Sequence, residues 1–247
     1  MTVRRLLPPL FLVLALLLPG MALSQELNID LGEGGSFTGR VLQLIALLTV
    51  LSLAPAILVV VTSFTRIVIV LSLLRSALGV QTTPPNVVII SLALFLTAFI
   101  MAPTFEQAWE DGIQPLLNEE IEEREAFDRA IVPVRAFMLT HVREKDLALF
   151  LDIGNIDTSG LTPEQTPLQA LIPAFMISEL RRAFEIGFLL FVPFLVIDMV
   201  VASVLMSMGM MMLPPIIISL PFKLIFFVIV DGWNLVAASL VRSFTGG

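Results

Sequence analysis

Between residues 206 and 215 the chain reads MSMGMMMLPP, five methionines within seven residues followed by two prolines. Two kinds of chemistry suit that spacing. The thioethers of Met206, Met208 and Met210 are soft donors of the sort that select Cu(I). Methionine also carries a polarizable thioether on three rotatable bonds, so it fills irregular gaps and adapts to changing partners. On that reading Met206, Met208, Met210, Met211 and Met212 form a deformable plug. Gly209 permits unusual backbone angles, while Pro214 and Pro215 stop a helix and fix the exit of the loop. The chain has one histidine, no cysteine and no tyrosine. Disulfides, thiolate metal sites and cysteine nucleophiles are thereby excluded. His141, in LTHVREKD, has no serine–carboxylate partner at a useful spacing and reads as a surface histidine. No nucleophile–base pair and no metal-ligand constellation emerges, so the expectation is a protein that is not an enzyme and needs no cofactor or metal.

Four charged residues stand inside apolar runs: Arg66, Asp198, Lys223 and Asp231. Ionisable groups in such surroundings face protein or a watery path, not lipid. Lys223 and Asp231 are eight residues apart, about 12 Å along a helix, too close to reach opposite interfaces of a hydrocarbon core about 30 Å thick. If residues 206–215 are the tip of a helical hairpin, Asp198 and Lys223 lie at similar depth on adjacent antiparallel helices and can neutralise each other. The alternative is that each pairs with a neighbouring subunit or the backbone. Either way these helices read as built to pack against protein.

The elements that must carry these residues follow from composition. The chain has 247 residues, 57% hydrophobic and 14% charged, with a mean hydropathy of +0.97. Soluble domains run nearer about 45–50% apolar and about 25% charged, so this is a membrane-associated protein. Residues 1–24 have the form of a signal peptide: Arg4 and Arg5, a short apolar core, then Ala22-Leu23-Ser24, with cleavage expected between Ser24 and Gln25. A short segment, 25–40, follows. Apolar stretches then occupy roughly 41–74, 86–103, 184–208 and 213–241. The first would make about 50 Å of helix and contains Pro55. Residues 104–183 hold 15 of the 21 acidic and 7 of the 14 basic residues, a net charge of −8, against +1 elsewhere. The expected organisation is a first apolar hairpin over 41–103, an acidic helical domain over 104–183 and a second hairpin over 184–247. With the N-terminus exported and four crossings, the acidic domain and the C-terminus lie outside the cytoplasm and the turns at 75–85 and 206–215 face inward. Asn118 is expected to cap a helix whose first turn holds Glu119 and Glu120, with Glu120–Arg124 and Glu125–Arg129 as i,i+4 pairs. The run EEIEERE reads as its solvated face. Thr166-Pro167 marks a second helix start.

Four blocks are familiar: TSFTRIVIVLSLLRSALG (62–79), LALFLTAFIMAP (92–103), PAFMISELRRAFEIGFLLFVPFLVIDMVVASVLMSMGMMMLPP (173–215) and LPFKLIFFVIVDGWNLV (220–236). Together they closely resemble the FliP family of type III secretion export-gate proteins, over nearly the whole chain beyond residue 40. The ending GWNLVAASLVRSF points to the flagellar branch over the virulence injectisome branch. The resemblance implies an all-α, membrane-associated fold of kinked helical hairpins with an α-helical periplasmic insertion. It implies a bacterial inner-membrane subunit of the flagellar basal body in a ring of about five copies, assembled with FliR and several FliQ subunits, with FlhA and FlhB nearby. The ring would surround a pore for unfolded flagellar proteins, and nucleic acid has no part in it. The methionine loop then reads as the seal of that pore. A Cu(I) or small-solute transporter and an inert scaffold with methionines as core filler remain the alternatives.

Overall fold

The computed structural model describes residues 37–245 apart from residues 81, 157–159, 161 and 211. The expected signal peptide and its junction at Ser24 and Gln25 lie outside the described residues. Among those described, every element is helical. The chain divides into two units, Met1–Leu51 and Ser52–Gly247. In the first, the described part is the start of helix α1, Phe37–Val60, which carries the apolar run Leu44–Leu53.

The second unit is built around α2, Phe64–Ala77. The expected stretch 41–74 is thus not one helix. It breaks at residues 61–63, where Thr62 turns its hydroxyl back on the main chain, donating to Val59 O and accepting from Phe64 N–H, both at 3.4 Å. Short hydroxyl side chains compete with the helical ladder in this way. Beyond the break, Ile67, Val70, Leu71, Leu74, Ala77 and Leu78 are all buried, and this three- and four-residue spacing makes α2 the spine of the core. Its serine hydroxyls are satisfied within the helix, Ser72 Oγ donating to Val68 O at 2.7 Å and Ser76 Oγ to Ser72 O at 3.1 Å.

After α2 come α3 (Asn86–Ala108), a π turn (Trp109–Ile113) and the short α4 (Gln114–Leu117). Next are α5 (Glu123–His141) and α6 (Glu144–Ile153), then a 3-10 turn, Pro163–Gln165. The chain closes with α7 (Leu168–Ser207, 40 residues), α8 (Pro215–Ile229) and α9 (Gly232–Thr245). The main core joins α2 to Ile89, Ala93 and Ile100 of α3, Phe194 of α7, Phe227 of α8 and Leu240 of α9. A smaller cluster of Val61, Met138, Leu171 and Phe175 holds α5 against the start of α7. There, Ser178 Oγ donates to Asp146 Oδ2 at 2.7 Å and accepts from Arg143 N–H at 3.0 Å, tying α6 to α7.

Several expectations change. Asn118 ends α4 instead of opening a helix, Glu119 has a positive φ of 58°, and α5 starts only at Glu123. Glu120–Arg124 is therefore not a helical pair, whereas Glu125–Arg129 is, at 2.5 Å. Helix α7 starts at Leu168, with Pro167 just before it as the capping residue. It runs unbroken through Pro173, Gly187 and Pro193, so the charge step at 183/184 falls inside one helix. Gly187 is needed for packing: a Cβ there would stand 2.3 Å from Leu73 Cδ1 of α2. Lipid offers no hydrophobic drive between helices, and close approach at small residues supplies contact instead.

By length and composition, two described helical stretches can cross a membrane, Asn86–Leu117 and Leu168–Ser207. The pair α8–α9 adds a third if counted as one span bent by 64°. The bend lies at Asp231, where the expected single stretch 213–241 divides. The argument from a 12 Å separation between Lys223 and Asp231 along one helix therefore fails.

Candidate functional site

The methionine-rich turn is a hairpin tip between α7 and α8. Met206 belongs to the last turn of α7, which ends at Ser207 with Met208 as its cap. Gly209 N–H then donates to Met206 O at 3.1 Å and Met210 N–H to Leu205 O at 3.0 Å, with Gly209 at φ +73°. This nested pair of bonds with a left-handed glycine is a Schellman motif, which satisfies carbonyls left over at the helix end. Gly209, not the prolines, stops α7. Pro214 and Pro215 instead start α8, Pro215 at a first-turn position whose missing N–H has no helical partner to lose. Side chains of Met206, Met208, Met210 and Met212 are exposed, and Met211 lies outside the described residues. Main-chain bonds thus hold the exit from α7 while these four thioethers are presented outward. Nothing lies within 4 Å of a Cβ built on Gly209, so Gly209→Ala tests conformation alone. It should destabilise the protein by about 1 kcal/mol, seen as a lower thermal midpoint in detergent, and Gly209→Asn should recover part of the loss.

Below the tip, Lys223 of α8 meets Asp198 of α7 at 2.6 Å (Nζ–Oδ2). Ser219 Oγ donates to the other oxygen, Asp198 Oδ1, at 2.6 Å. Lys223 Nζ also donates to Ala77 O, 3.2 Å away in the last turn of α2. A cation there is favoured by the partial negative charge of a helix C-terminus. One buried ammonium therefore holds both arms of the hairpin to α2, below the methionine tip. Asp198→Ala and Lys223→Met should each lower the yield of assembled complex on native gels. The double variant should recover part of it, because removing both charges leaves no ion unpaired. Equal damage from all three would mean that the two residues serve separate partners.

Arg66 of α2 is buried and forms a two-point ion pair with Glu179 of α7: Nε donates to Oε2 at 2.9 Å and Nη2 to Oε1. Its Nη1 donates to Ser243 O at 3.1 Å and to Ser243 Oγ at 3.0 Å in α9. Its guanidinium carbon lies 3.7 Å from the centroid of the Phe244 ring, a cation–π contact. His141 completes the joint and is not a surface residue. It is half-buried, with ring centroids 4.5 Å from Phe137 and 5.1 Å from Phe244. Its Nδ1 is 2.7 Å from Phe137 O and its Nε2 3.3 Å from Phe244 O. Asp231, grouped by sequence with the buried charges, is exposed. It occupies the corner between α8 and α9 with φ 50°, and its carbonyl accepts from Leu235 N–H at 3.1 Å to begin α9.

Glu179 carries half of the most buried ion pair, and sequence reasoning did not single it out from the surrounding charges. The signal is its phase: Leu171, Phe175, Ser178, Glu179 and Ala183 share one buried stripe, whereas Arg181, Arg182 and Glu185 pair with one another in solvent.

A family model described as the FliP family matches residues 47–240. The chain is 63% identical over 232 residues to the flagellar biosynthetic protein FliP of Caulobacter vibrioides, covering 94% of this chain and 87% of that protein. To the protein of the same name from Rhizobium meliloti it is 52% identical over 238 residues, 95% and 97% of the two chains. To that of Bacillus subtilis it is 52% identical over 222 residues, 90% and 100%.

Proposed function

This chain belongs to the FliP family, and on that premise we propose that it is a core subunit of the flagellar type III export gate. Copies of it, with FliQ and FliR and next to FlhA and FlhB, surround a pore in the bacterial inner membrane through which unfolded flagellar proteins leave the cytoplasm. The loops carrying Met206, Met208, Gly209 and Met210–Met212 close that pore. The observation that supports the sealing role is the hairpin tip itself, where methionine side chains stand outward on a backbone held by the Gly209 turn. A conduit for chains of arbitrary sequence cannot rely on a selective pocket. Flexible thioethers close on one another and reopen around whatever passes. The names of the relatives favour the flagellar branch over the virulence branch.

In this reading the signal peptide is removed after Ser24, residues 104–183 lie on the periplasmic side, and the buried joints at Arg66 and Asp198–Lys223 hold the hairpins for assembly. The test is mass measurement of the intact complex extracted in detergent, combined with labelling at Glu122→Cys. Several copies together with FliQ and FliR, and labelling by an impermeant reagent added from the periplasm, are expected. A monomer, or labelling only after lysis, overturns the corresponding part of the reading.

A further inference from the structure

The chain has no cysteine, so an oxidant that reaches it finds no thiol, and thioethers are the soft nucleophiles available. Their exposure differs sharply. Met212 is 98% exposed, Met208 66%, Met206 58% and Met210 39%, whereas Met101 and Met138 are at 0%. Among the described residues, four of the five exposed methionines lie at this hairpin tip, where main-chain bonds from Met208, Gly209 and Met210 close the end of α7, and the fifth, Met199 at 64%, lies within α7. Changing the side chains therefore leaves the hairpin standing.

We propose that this tip is a site of reversible oxidative modification, taking oxygen from a peroxide. A thioether lone pair attacks one peroxide oxygen; the S–O bond forms as the O–O bond breaks. Sulfur gives up two electrons, and the departing hydroxide takes the proton left on the sulfoxide oxygen and leaves as water. The product is methionine sulfoxide, polar and chiral where the thioether was apolar and flexible, and methionine sulfoxide reductases restore the thioether. A sulfoxide oxygen accepts hydrogen bonds, and the neighbouring methionines offer it no donor. A dry seam of thioethers thus becomes one that draws in water. The functional consequence rests on the sealing role proposed above; the chemistry at sulfur does not.

The experiment treats membranes bearing the assembled complex with hydrogen peroxide over a time course and maps oxygen addition by peptide mass spectrometry. Sulfoxides should accumulate at Met206, Met208, Met210 and Met212 several-fold faster than at Met101 and Met138, and should disappear on incubation with the reductases. Oxidation at the tip no faster than at Met101 and Met138 overturns the inference. Ion conductance of the same complex is recorded in parallel. It should rise with tip oxidation in the wild type and stay flat when the five loop methionines are replaced by leucine. Rapid, reversible tip oxidation with unchanged wild-type conductance establishes the modification site and overturns the sealing role instead.

Discussion

Replacing Glu179 with alanine should be the most damaging single truncation of a charge in this protein. Arg66 would keep its guanidinium buried between α2, α7 and α9 with only Ser243 and the Phe244 ring to face it. Breaking a buried pair by removing one partner costs about 3–5 kcal/mol, because the remaining ion can neither regain water nor find a counter-charge. For a chain of this size each kcal/mol is worth about 2–4 °C in thermal midpoint, so a loss of roughly 10 °C in detergent is expected. Arg66→Ala should be less severe, since the Glu179 carboxyl can take up a proton and become neutral, an escape closed to the guanidinium. Arg66→Met with Glu179→Leu fills similar volume with no charge and should recover much of the stability. The joint also holds the end of α9, so amide exchange across residues 236–244 should accelerate in Glu179→Ala. A Glu179→Ala midpoint within a degree or two of wild type would show that the pair contributes nothing.

The same joint marks where the sequence becomes hard to read. An apolar, helical, membrane-associated chain follows directly from composition, and the hairpin tip from MSMGMMMLPP. Counting from that tip leaves Asp198 and Lys223 level with each other, and the two do meet. What counting along the chain cannot give is a contact between residues far apart in sequence. Arg66 and Glu179 are separated by 113 positions and His141 and Phe244 by 103. Their burial depends on how three helices cross, which no local pattern records. Breaks inside apolar runs were equally hidden. Thr62 and Asp231 divide segments whose hydropathy is continuous, through hydroxyl and left-handed backbone geometry that averages over a window erase. Pro173 and Pro193, by contrast, lie within an unbroken α7, since neighbouring helices tolerate the lost hydrogen bond in a membrane setting.

The methionine tip carries the other large expectation, on function instead of stability. Met210, Met211 and Met212 replaced together by alanine should leave the hairpin intact. The turn is held by main-chain bonds from Gly209 and Met210, and exposed substitutions away from buried features stay within about 0.5 kcal/mol. The complex should therefore assemble in wild-type amount. If the tips of several copies meet at one constriction, each copy withdraws three side chains from the same place and the gap multiplies around the ring. Water enters such a gap and ions follow, so the idle complex in a planar bilayer should conduct where wild type does not. Leucine at the three positions restores volume without restoring flexibility, since its branched side chain adapts less readily than methionine. The leucine complex should be tight but slow to export, as secretion of a flagellar substrate would measure. The two variants thus separate closing from yielding, the two properties a seal for unfolded chains must combine. An alanine complex that assembles and remains as tight as wild type would remove the tip from the gate.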